Sequence, residues 1–539
     1  MRRFIVELTG GFRWRIVLTA AAGIIRVAAG LMFVAVSRQA VDIAAHQAEG
    51  DLWKNVAVLI LTIVIELICS SFAARNTDLT EAELKNALQD RFFSRLMSSG
   101  WEGHEKMHSG DMISRLTDDC RVASESLCRT FPAVIVACFQ LMGAFFFLWY
   151  FSHALAAILF LLFPLFLLAG KVFFRRVRVL TRRIRATESR IQEKMQESLQ
   201  HRILLTSYQY AGRVVDSVRA LHSSRYTSIR RKTDHTVYSK AAVTAGFESG
   251  YLIAFIWGLI GLGNGTISFG TMAAYLQLAG RIQHPMAELA GLLPGLTGAH
   301  TAFLRLSEIG AVSPEESGLE NLPSMKPAGI DFRNVSFSYL RGGKKIISGF
   351  SHAFKPGQFT AIMGETGAGK TTLLRLMLGL LRPQEGEIRI LACEDNEHMS
   401  DIGSFLGRIV YVPQGNSILS GTIRSNLKIG NPDASDAEMY AALHDAAADF
   451  VKDLRFGLDT PCRERGGGLS EGQAQRIAIA RGLLREGSIL LLDEISAALD
   501  EETEKTLMSR LGARRGKHTV IFVTHRGAVL PYCDDVVRL

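Results

Sequence analysis

The pattern of apolar and polar positions divides the chain into two parts. Up to about residue 285 the sequence contains apolar runs, each close to the ~20 residues that a helix needs to cross the hydrocarbon core of a bilayer. The predicted spans are residues 16–36, 56–74, 131–151, 155–174, 241–262 and 267–285. The first is interrupted by Arg26 and the last by Arg281 and His284. This pattern predicts an N-terminal all-α transmembrane domain with six helices embedded in a lipid bilayer.

The charges between the spans predict the orientation. Residues 171–240 contain 17 Lys and Arg but 5 Asp and Glu, and the loop 75–129 is also basic. The loops 39–52, 151–155 and 263–268 contain no Lys or Arg. Because basic loops stay on the cytoplasmic side, we expect a multi-pass protein of the cell (plasma or inner) membrane, with both termini in the cytoplasm. Helical spacing of apolar residues in 181–208 favours helices that extend beyond the bilayer over a flexible basic loop.

The character of the sequence changes after about residue 310. Residues 313–327 combine Pro, Gly and acidic residues, as a linker does. Beyond them, short β-rich runs alternate with helical patterns, which is typical of an α/β domain. The predicted organisation is a transmembrane domain over 1–310, a linker over 311–327 and an α/β domain over 328–539, which places the α/β domain in the cytoplasm.

Composition excludes some classes of protein. The net charge is +9, but the basic residues lie between the apolar runs and form no compact patch, so we expect no nucleic acid as a partner. The seven cysteines are scattered and show no CxxC spacing, which argues against a disulfide framework or a zinc site. The basic N-terminus is followed by a long apolar run without a cleavage pattern, so we expect no removable signal peptide.

A phosphate-binding loop follows a strand-like run, residues 359–363, and precedes an apolar helical stretch, residues 373–381. Its backbone N–H groups and the following helix N-terminus would hold the phosphates of ATP. Lys370 would contact the β- and γ-phosphates, and the Thr371 hydroxyl would bind Mg²⁺. The predicted ATP-binding residues of this P-loop are Gly364, Glu365, Thr366, Gly367, Ala368, Gly369, Lys370, Thr371 and Thr372. The second domain is therefore predicted to be an α/β P-loop nucleotide-binding domain.

A second run, residues 488–494, is an apolar strand that ends in Asp493 and Glu494. Paired with a P-loop, it is a Walker B strand, in which Asp493 assists Mg²⁺ and Glu494 polarises the attacking water. The alternative is that Glu494 only caps the next helix.

The segment between these two runs identifies a family. Leu469-Ser470-Glu471-Gly472-Gln473 resembles the signature of ATP-binding-cassette (ABC) proteins, whose usual form has glycine where this chain has Glu471. The resemblance implies that Ser470 and Gly472, with Gln473 beside them, approach the γ-phosphate of ATP across a dimer interface. An extra carboxylate at Glu471 is expected to affect nucleotide affinity and coupling.

Other positions match the family's motifs in order and spacing. The resemblance implies that Tyr339 stacks on adenine, that Gln414 contacts Mg²⁺, and that His525 holds the γ-phosphate. Asp500 lies in a segment, residues 497–500, that resembles the loop between the two ATP sites. Residues 463–466 resemble a charged coupling segment. The chain ends about fourteen residues after His525, whereas the family usually continues with another strand and a closing helix.

The membrane half resembles ABC exporters in residues 110–116, 270–275 and 305–309. The resemblance implies a half-transporter that dimerises, with ATP and Mg²⁺ between the subunits. Because a P-loop and a signature in one chain cannot easily meet at one ATP, two chains placed head to tail would share two sites. A homodimer is favoured and a heterodimer with a related chain is the alternative.

The predicted function is ATP-driven transport of an unidentified substrate across the membrane, most simply export. The alternatives are an ATP-gated or regulatory membrane protein and an importer with an exporter-like fold; the spans exclude a nucleic-acid ATPase. Arg26, Glu66 and Glu248 lie within spans and are candidates to line the translocation path, since charged residues there usually face a cavity or a partner. Pairing of Arg26 with Glu66 as a structural contact is the alternative.

Overall fold

The computed structural model describes Phe4 and residues 7–98, 109–311, 327–339, 345–365, 367–391, 409–463, 468–485, 487–495 and 499–539. These residues form two compact units. The first contains the described residues up to 97 and those from 109 to 311, and the second contains those from 327 onward. Most of the predicted linker, residues 312–326, lies outside the described residues.

The first unit is built from long helices, and each of the predicted spans lies on one of them. The helices are α1 (Arg13–Ala44), α2 (Leu52–Met97), α3 (Gly110–Phe151), α4 (His153–Gln200), the short α5 (Arg202–Ser207), α6 (Ala211–Gly263) and α7 (Phe269–Ala311). Among the described residues, α1, α2, α3 and α6 are long and apolar enough to cross a membrane, and α4 begins with a shorter apolar segment. The prediction of an all-α membrane domain with six long helices is confirmed.

The two halves of helix α2 differ in which of their apolar side chains are exposed. In its N-terminal half, large apolar side chains such as Ile60, Leu61 and Leu67 are exposed, as expected for residues that contact lipid. In its C-terminal half, Leu84 and Leu88 are buried at a spacing of four residues. The helix is therefore apolar on all sides in the span and amphipathic beyond it.

The helices extend far beyond a bilayer. Helix α4 has 48 residues and α6 has 53, which correspond to about 72 and 80 Å, whereas the hydrocarbon core is about 30 Å thick. In the polar part of both helices, Arg225 on α6 pairs with Glu188 on α4 at 3.4 Å. The segment 181–208, which was predicted to be helical, lies mostly on α4 and α5.

Ion pairs join the first part of α3 to the last part of α7. Arg115 is buried and donates to Asp111 at 2.8 Å, to Glu308 at 2.6 Å and to the Arg305 carbonyl at 2.9 Å. Arg305 in turn pairs with Asp111 and, at 3.2 Å, with Asp119. We call these five residues the α3–α7 ion cluster.

The second unit contains a mixed set of strands. They are β1 (Gly329–Phe337), β2 (Ile347–Phe354), β3 (Phe359–Met363), β4 (Glu385–Leu391), β5 (Ile409–Val412), β6 (Gly421–Thr422), β7 (Pro461–Cys462), β8 (Ile489–Asp493), β9 (Thr519–Val523) and β10 (Asp535–Arg538). An antiparallel sheet has the order β2-β1-β4, and a parallel sheet has the order β10-β3-β9-β8-β5. Strands β6 and β7 form a small pair.

Helices cover both faces of the parallel sheet. They are α8 (Lys370–Met377), α9 (Ile423–Leu427), α10 (Asp436–Asp445), α11 (Glu471–Leu484) and α12 (Glu501–Gly512). Along β8, Leu490 and Leu492 pack in one apolar cluster with residues of α11 and α12. The alternate residues Ile489 and Leu491 pack in another with residues of α8 and of the antiparallel sheet. Since successive strand residues point to opposite faces, α8 and α11 lie on opposite sides of the sheet. The α/β prediction is confirmed.

Candidate nucleotide-binding site

The P-loop joins the buried strand β3 to α8. Gly367 and Gly369 have φ of 92° and 99°, in the left-handed region that glycine adopts without steric cost. At Gly369 a side chain would also be crowded, because a Cβ there would lie 3.0 Å from the Ile347 Cδ1. These two residues turn the chain so that α8 starts at Lys370 directly after the loop. Thr366 lies outside the described residues.

The side chain of Lys370, the first residue of α8, donates hydrogen bonds back to the loop. Its Nζ donates to the Gly364 carbonyl at 2.6 Å and to the Glu365 carbonyl at 3.2 Å. A positive charge, a helix N-terminus and glycine-rich backbone thus occupy one place, which is the arrangement that binds phosphate groups. Ala368 lies within this turn, with its N–H donating to the Glu365 carbonyl at 3.1 Å.

The two threonines after Lys370 differ. Thr371 is exposed in the first turn of α8, where its hydroxyl is accessible to a metal ion. Thr372 is buried, and its hydroxyl lies 3.4 Å from the Tyr339 hydroxyl. Thr372 therefore supports the site through its contact with Tyr339.

Tyr339 lies beside α8 and is held in place by its own neighbours. Its hydroxyl accepts a hydrogen bond from Arg375 at 2.8 Å, and its ring meets Phe337 edge-on at 5.2 Å. The residue is 39% exposed, so a face of its ring can receive an aromatic base.

Asp493 ends β8 and is buried. Burial raises the pKa of its carboxyl group, and the Tyr411 hydroxyl donates to it at 3.1 Å. Burial also raises the pKa of Tyr411, so its phenol remains a hydrogen-bond donor at neutral pH. Tyr411 was missed by the sequence analysis, although it stands three residues before Gln414; a tyrosine within a strand gave no signal of this contact.

Glu494, Gln414 and His525 come together although they are distant in sequence. The Gln414 Nε2 donates to the Glu494 carboxylate at 2.6 Å, and the His525 Nδ1 lies 3.4 Å from the other oxygen. The three residues follow β8, β5 and β9, and carboxyl ends of parallel strands meet at one edge of a sheet. Glu494 has φ of 44°, an unusual conformation for a residue with a side chain.

The alternative prediction was that Glu494 caps the next helix. It is wrong for α12, the next helix that the structure describes. Asp500 caps α12, since its carboxylate accepts a hydrogen bond from the Thr503 N–H at 3.0 Å. Glu494 instead donates its own N–H to the Val523 carbonyl at 2.9 Å, which holds it against β9.

The signature segment forms the start of α11. The Ser470 hydroxyl accepts from the Gln473 N–H at 3.2 Å, and the Gln473 side chain accepts from the Ser470 N–H at 2.9 Å. This reciprocal cap leaves Glu471 exposed as the first helical residue, followed by Gly472. A carboxylate at a helix N-terminus stabilises the helix, but it also offsets the positive end that would attract phosphate. Of the charged segment 463–466, only Arg463 lies in the described part.

Oxygen ligands for Mg²⁺ are available beside the P-loop. The Thr371 hydroxyl and the Asp493 carboxylate are hard donors of the kind that Mg²⁺ takes together with phosphate oxygens and water. Gln414, bound to Glu494, supplies an amide oxygen at the same edge of the sheet. The residues present therefore fit an ATP–Mg²⁺ complex.

Two family models match the chain. The model of the ABC transporter transmembrane region matches residues 16–286, about half of the chain, and the ABC transporter model matches residues 347–497. This chain belongs to the ABC transporter family. The first match covers the helices α1 to α6 and the start of α7, and the second runs from β2 to the residues after β8, including the P-loop and signature.

Curated relatives of this ABC transporter are similar over most of its length. A putative export ATP-binding/permease protein of Rickettsia prowazekii is 28% identical, over 90% of this chain and 84% of its own. A putative multidrug export ATP-binding/permease protein of Staphylococcus aureus is 26% identical, over 98% and 93%. The ABC multidrug transporter mdr2 of Aspergillus fumigatus is 30% identical, over 84% of this chain and 57% of its own.

A solved structure shares the fold. The structure of a bacterial Atm1-family ABC exporter with ATP bound has a TM-score of 0.81 and 22% sequence identity, covering 98% of this chain and 94% of its own. The predicted exporter-type half-transporter, with a helical membrane domain fused to an ATP-binding domain, is confirmed. This ABC transporter is a multi-pass membrane protein whose ATPase activity is coupled to transport.

Proposed function

We propose that two copies of this chain form the working transporter and hold two ATP–Mg²⁺ complexes between them. The observation that supports this is the position of α8 and α11 on opposite faces of one sheet. A nucleotide on the P-loop of one copy would then be completed by Ser470 and Gly472 of a second copy. Two identical sites of this kind require a two-fold pair.

Within each site the residues have separate tasks. Lys370 and the P-loop N–H groups bind the phosphates, and Tyr339 stacks on the base. Glu494 polarises the attacking water, while Gln414 and His525 hold its carboxylate and face the γ-phosphate. Mg²⁺, held by Thr371, Asp493 and Gln414, would neutralise charge on the β- and γ-phosphates.

The proposed direction is export from the cytoplasm. Two of the relatives described above are named as export proteins and a third as a multidrug transporter, and the basic loops of this chain favour a cytoplasmic ATP-binding domain. Closure of the two nucleotide-binding domains on ATP would drive a rigid-body rearrangement of the helices that exposes the substrate to the other side.

The test is ATP hydrolysis by the full chain, purified alone and reconstituted into lipid nanodiscs. Glu494→Gln is expected to reduce the rate by about 100-fold or more, because the amide cannot polarise water as a carboxylate does. Glu502→Gln is the matched control, since Glu502 is exposed on α12 and lies outside the site.

Activity in the wild-type chain that Glu494→Gln removes would support a homodimer and show that Glu471 is tolerated. An inactive wild-type chain would contradict a self-sufficient homodimer and direct attention to a companion subunit. ATP-dependent accumulation of a compound in sealed vesicles, against its gradient, would distinguish a pump from an ATP-gated channel.

A further inference from the structure

Helices α1 and α7 meet along a line of polar residues within the apolar part of the membrane unit. The Arg281 guanidinium lies directly against Gly30, where a Cβ would come within 2.8 Å of the Arg281 Cζ. Arg26 stands one turn before Gly30, on the same face of α1. One turn before Arg281, Gln277 donates to the Ser37 hydroxyl at 3.3 Å. We call Arg26, Gly30, Ser37, Gln277 and Arg281 the α1–α7 polar seam.

The arginines of the seam lie within the predicted spans. Arg281 stands twelve residues after the start of α7 at Phe269, a rise of about 18 Å. Gly30 stands fourteen residues before the end of α1 at Ala44, a rise of about 21 Å. Arg281 is also four residues, about 6 Å, from the end of the predicted span 267–285, and Gly30 is six residues, about 9 Å, from the end of the span 16–36, so both lie within the predicted spans.

The two arginines of the seam have no counter-charge. Within the part of the chain that the structure describes, neither Arg26 nor Arg281 has an ion pair, a side-chain hydrogen bond or a ring contact. The carboxylates of the spans do not fill this role, because Glu66 and Glu248 have no ion pair in the described residues either. The pairing of Arg26 with Glu66, an alternative from the sequence, is therefore wrong for this conformation.

Arg281 nonetheless packs closely against α1 and α3. Gly30 provides the space for the guanidinium, and the Gln140 Nε2 on α3 donates to the Arg281 carbonyl at 3.2 Å. Arg281 as a whole is only partly buried. A charged group within a span is costly unless it faces a cavity or a partner. A guanidinium that lies against a glycine, in a partly buried residue without a carboxylate partner, is suited to a ligand that brings the negative charge.

We infer that the α1–α7 polar seam is a binding site for the anionic group of the transported substrate, an organic anion that carries a carboxylate, sulfonate or phosphate on an apolar body. Arg281 and Arg26 bind the anion, and the surrounding apolar side chains of the spans contact the rest of the molecule. This inference rests on the proposed transport function and adds the chemical class of the substrate.

The test compares two dyes that share a xanthene core, the anionic carboxyfluorescein and the cationic tetramethylrhodamine methyl ester. Their binding to the full chain in nanodiscs of phosphatidylcholine, which has no net charge, is measured by fluorescence anisotropy without ATP. We expect carboxyfluorescein to bind the wild-type chain more tightly than the cationic dye.

The variants separate charge from position. Arg281→Gln and Arg26→Gln are each expected to weaken carboxyfluorescein binding by about tenfold or more, because each removes a charge-assisted hydrogen bond. Arg281→Lys retains the charge and should retain most of the affinity. Gly30→Ala keeps both charges but displaces the guanidinium, so it should also weaken binding. The control Arg219→Gln removes an exposed arginine of α6 and should leave binding unchanged.

Equal affinity of the wild-type chain for the two dyes, or no saturable binding of carboxyfluorescein, would overturn the inference. So would an Arg281→Gln variant that binds like Arg219→Gln, and Arg281→Lys guards against a loss caused by misfolding. Addition of phosphatidylglycerol identifies the source of the anion: displacement of the dye supports a lipid headgroup, and its retention supports a soluble anion. Because binding is measured without ATP, an inactive ATPase would count against the proposed function and leave this result standing.

Discussion

Arg281 and Arg305 lie on the same helix, α7, but in contrasting surroundings. Arg305 belongs to the α3–α7 ion cluster, where carboxylates on α3 accept from it. Arg281, 24 residues earlier and within the predicted span, lies against glycine and has no carboxylate partner in the described chain. Two chemically identical side chains on one helix are thus used differently, one as a structural contact and the other as a free charge.

The contrast reflects how helices are held together in the two environments. In the apolar part, contacts depend on close packing at glycine: a Cβ at Gly258 would lie 2.9 Å from the Met272 Cγ, and one at Gly23 would clash with Val136. Beyond the spans, ion pairs join α3 to α7 beside a buried apolar cluster that includes Ala123 and Phe303. The ion pairs of the cluster give its charges partners, whereas Arg281 has none among the described residues, which is the reason to assign it a ligand.

The largest effect is expected when the ion cluster is broken at its centre. Arg115→Met would leave Asp111 and Glu308 without their shared partner, and the free energy of unfolding of the membrane unit should fall by at least about 2 kcal/mol. The measurement is thermal unfolding of the full chain in nanodiscs. Arg121→Met, which removes an exposed arginine of the same helix, should have little effect. Equal losses in both variants would remove the distinction between the cluster and the surface.

A smaller effect is expected at the edge of the cluster. Glu308→Gln leaves Arg115 paired with Asp111 and removes a contact to a carboxylate that is 58% exposed. Solvent screens such a contact, so the loss should be about 1 kcal/mol or less in the same unfolding assay. A loss as large as that of Arg115→Met would mean that Glu308, and not Asp111, is the principal partner.

The smallest effect on stability is expected at Arg281. Arg281→Gln removes a charge without a partner, so the free energy of unfolding should change by no more than about 0.5 kcal/mol or should rise. The same variant is expected to lose anion binding, so the comparison becomes sharpest when both are measured on one preparation. A marked loss of stability would indicate a packing role for the guanidinium.

The sequence was most informative where chemistry depends on short segments. The P-loop, the end of β8 and the cap formed by Ser470 and Gln473 each lie within a few residues, so the motif and its local structure could be predicted together. The meeting of Gln414, Glu494 and His525 was anticipated only through the family resemblance, because strand order in a parallel sheet is not encoded locally.

Long-range packing escaped prediction. The contact of Tyr411 with Asp493 and the contact of Arg281 with Gly30 join residues that are distant in sequence, and neither residue pair forms a pattern. Arg281 was noticed only as an interruption of an apolar run. The antiparallel sheet of β1, β2 and β4 was likewise not distinguished from the parallel one, since both consist of short apolar runs.

The length of α4 and α6 has a mechanical consequence. A continuous helix of about 80 Å acts as a lever: if it pivots by about 5° at one end, the other end moves by about 7 Å. Because α4 and α6 pack against each other and are joined by Arg225 and Glu188 outside the spans, they would swing as a pair. A small closure at one end of this pair could therefore produce a displacement wide enough to admit or release a small organic molecule at the other.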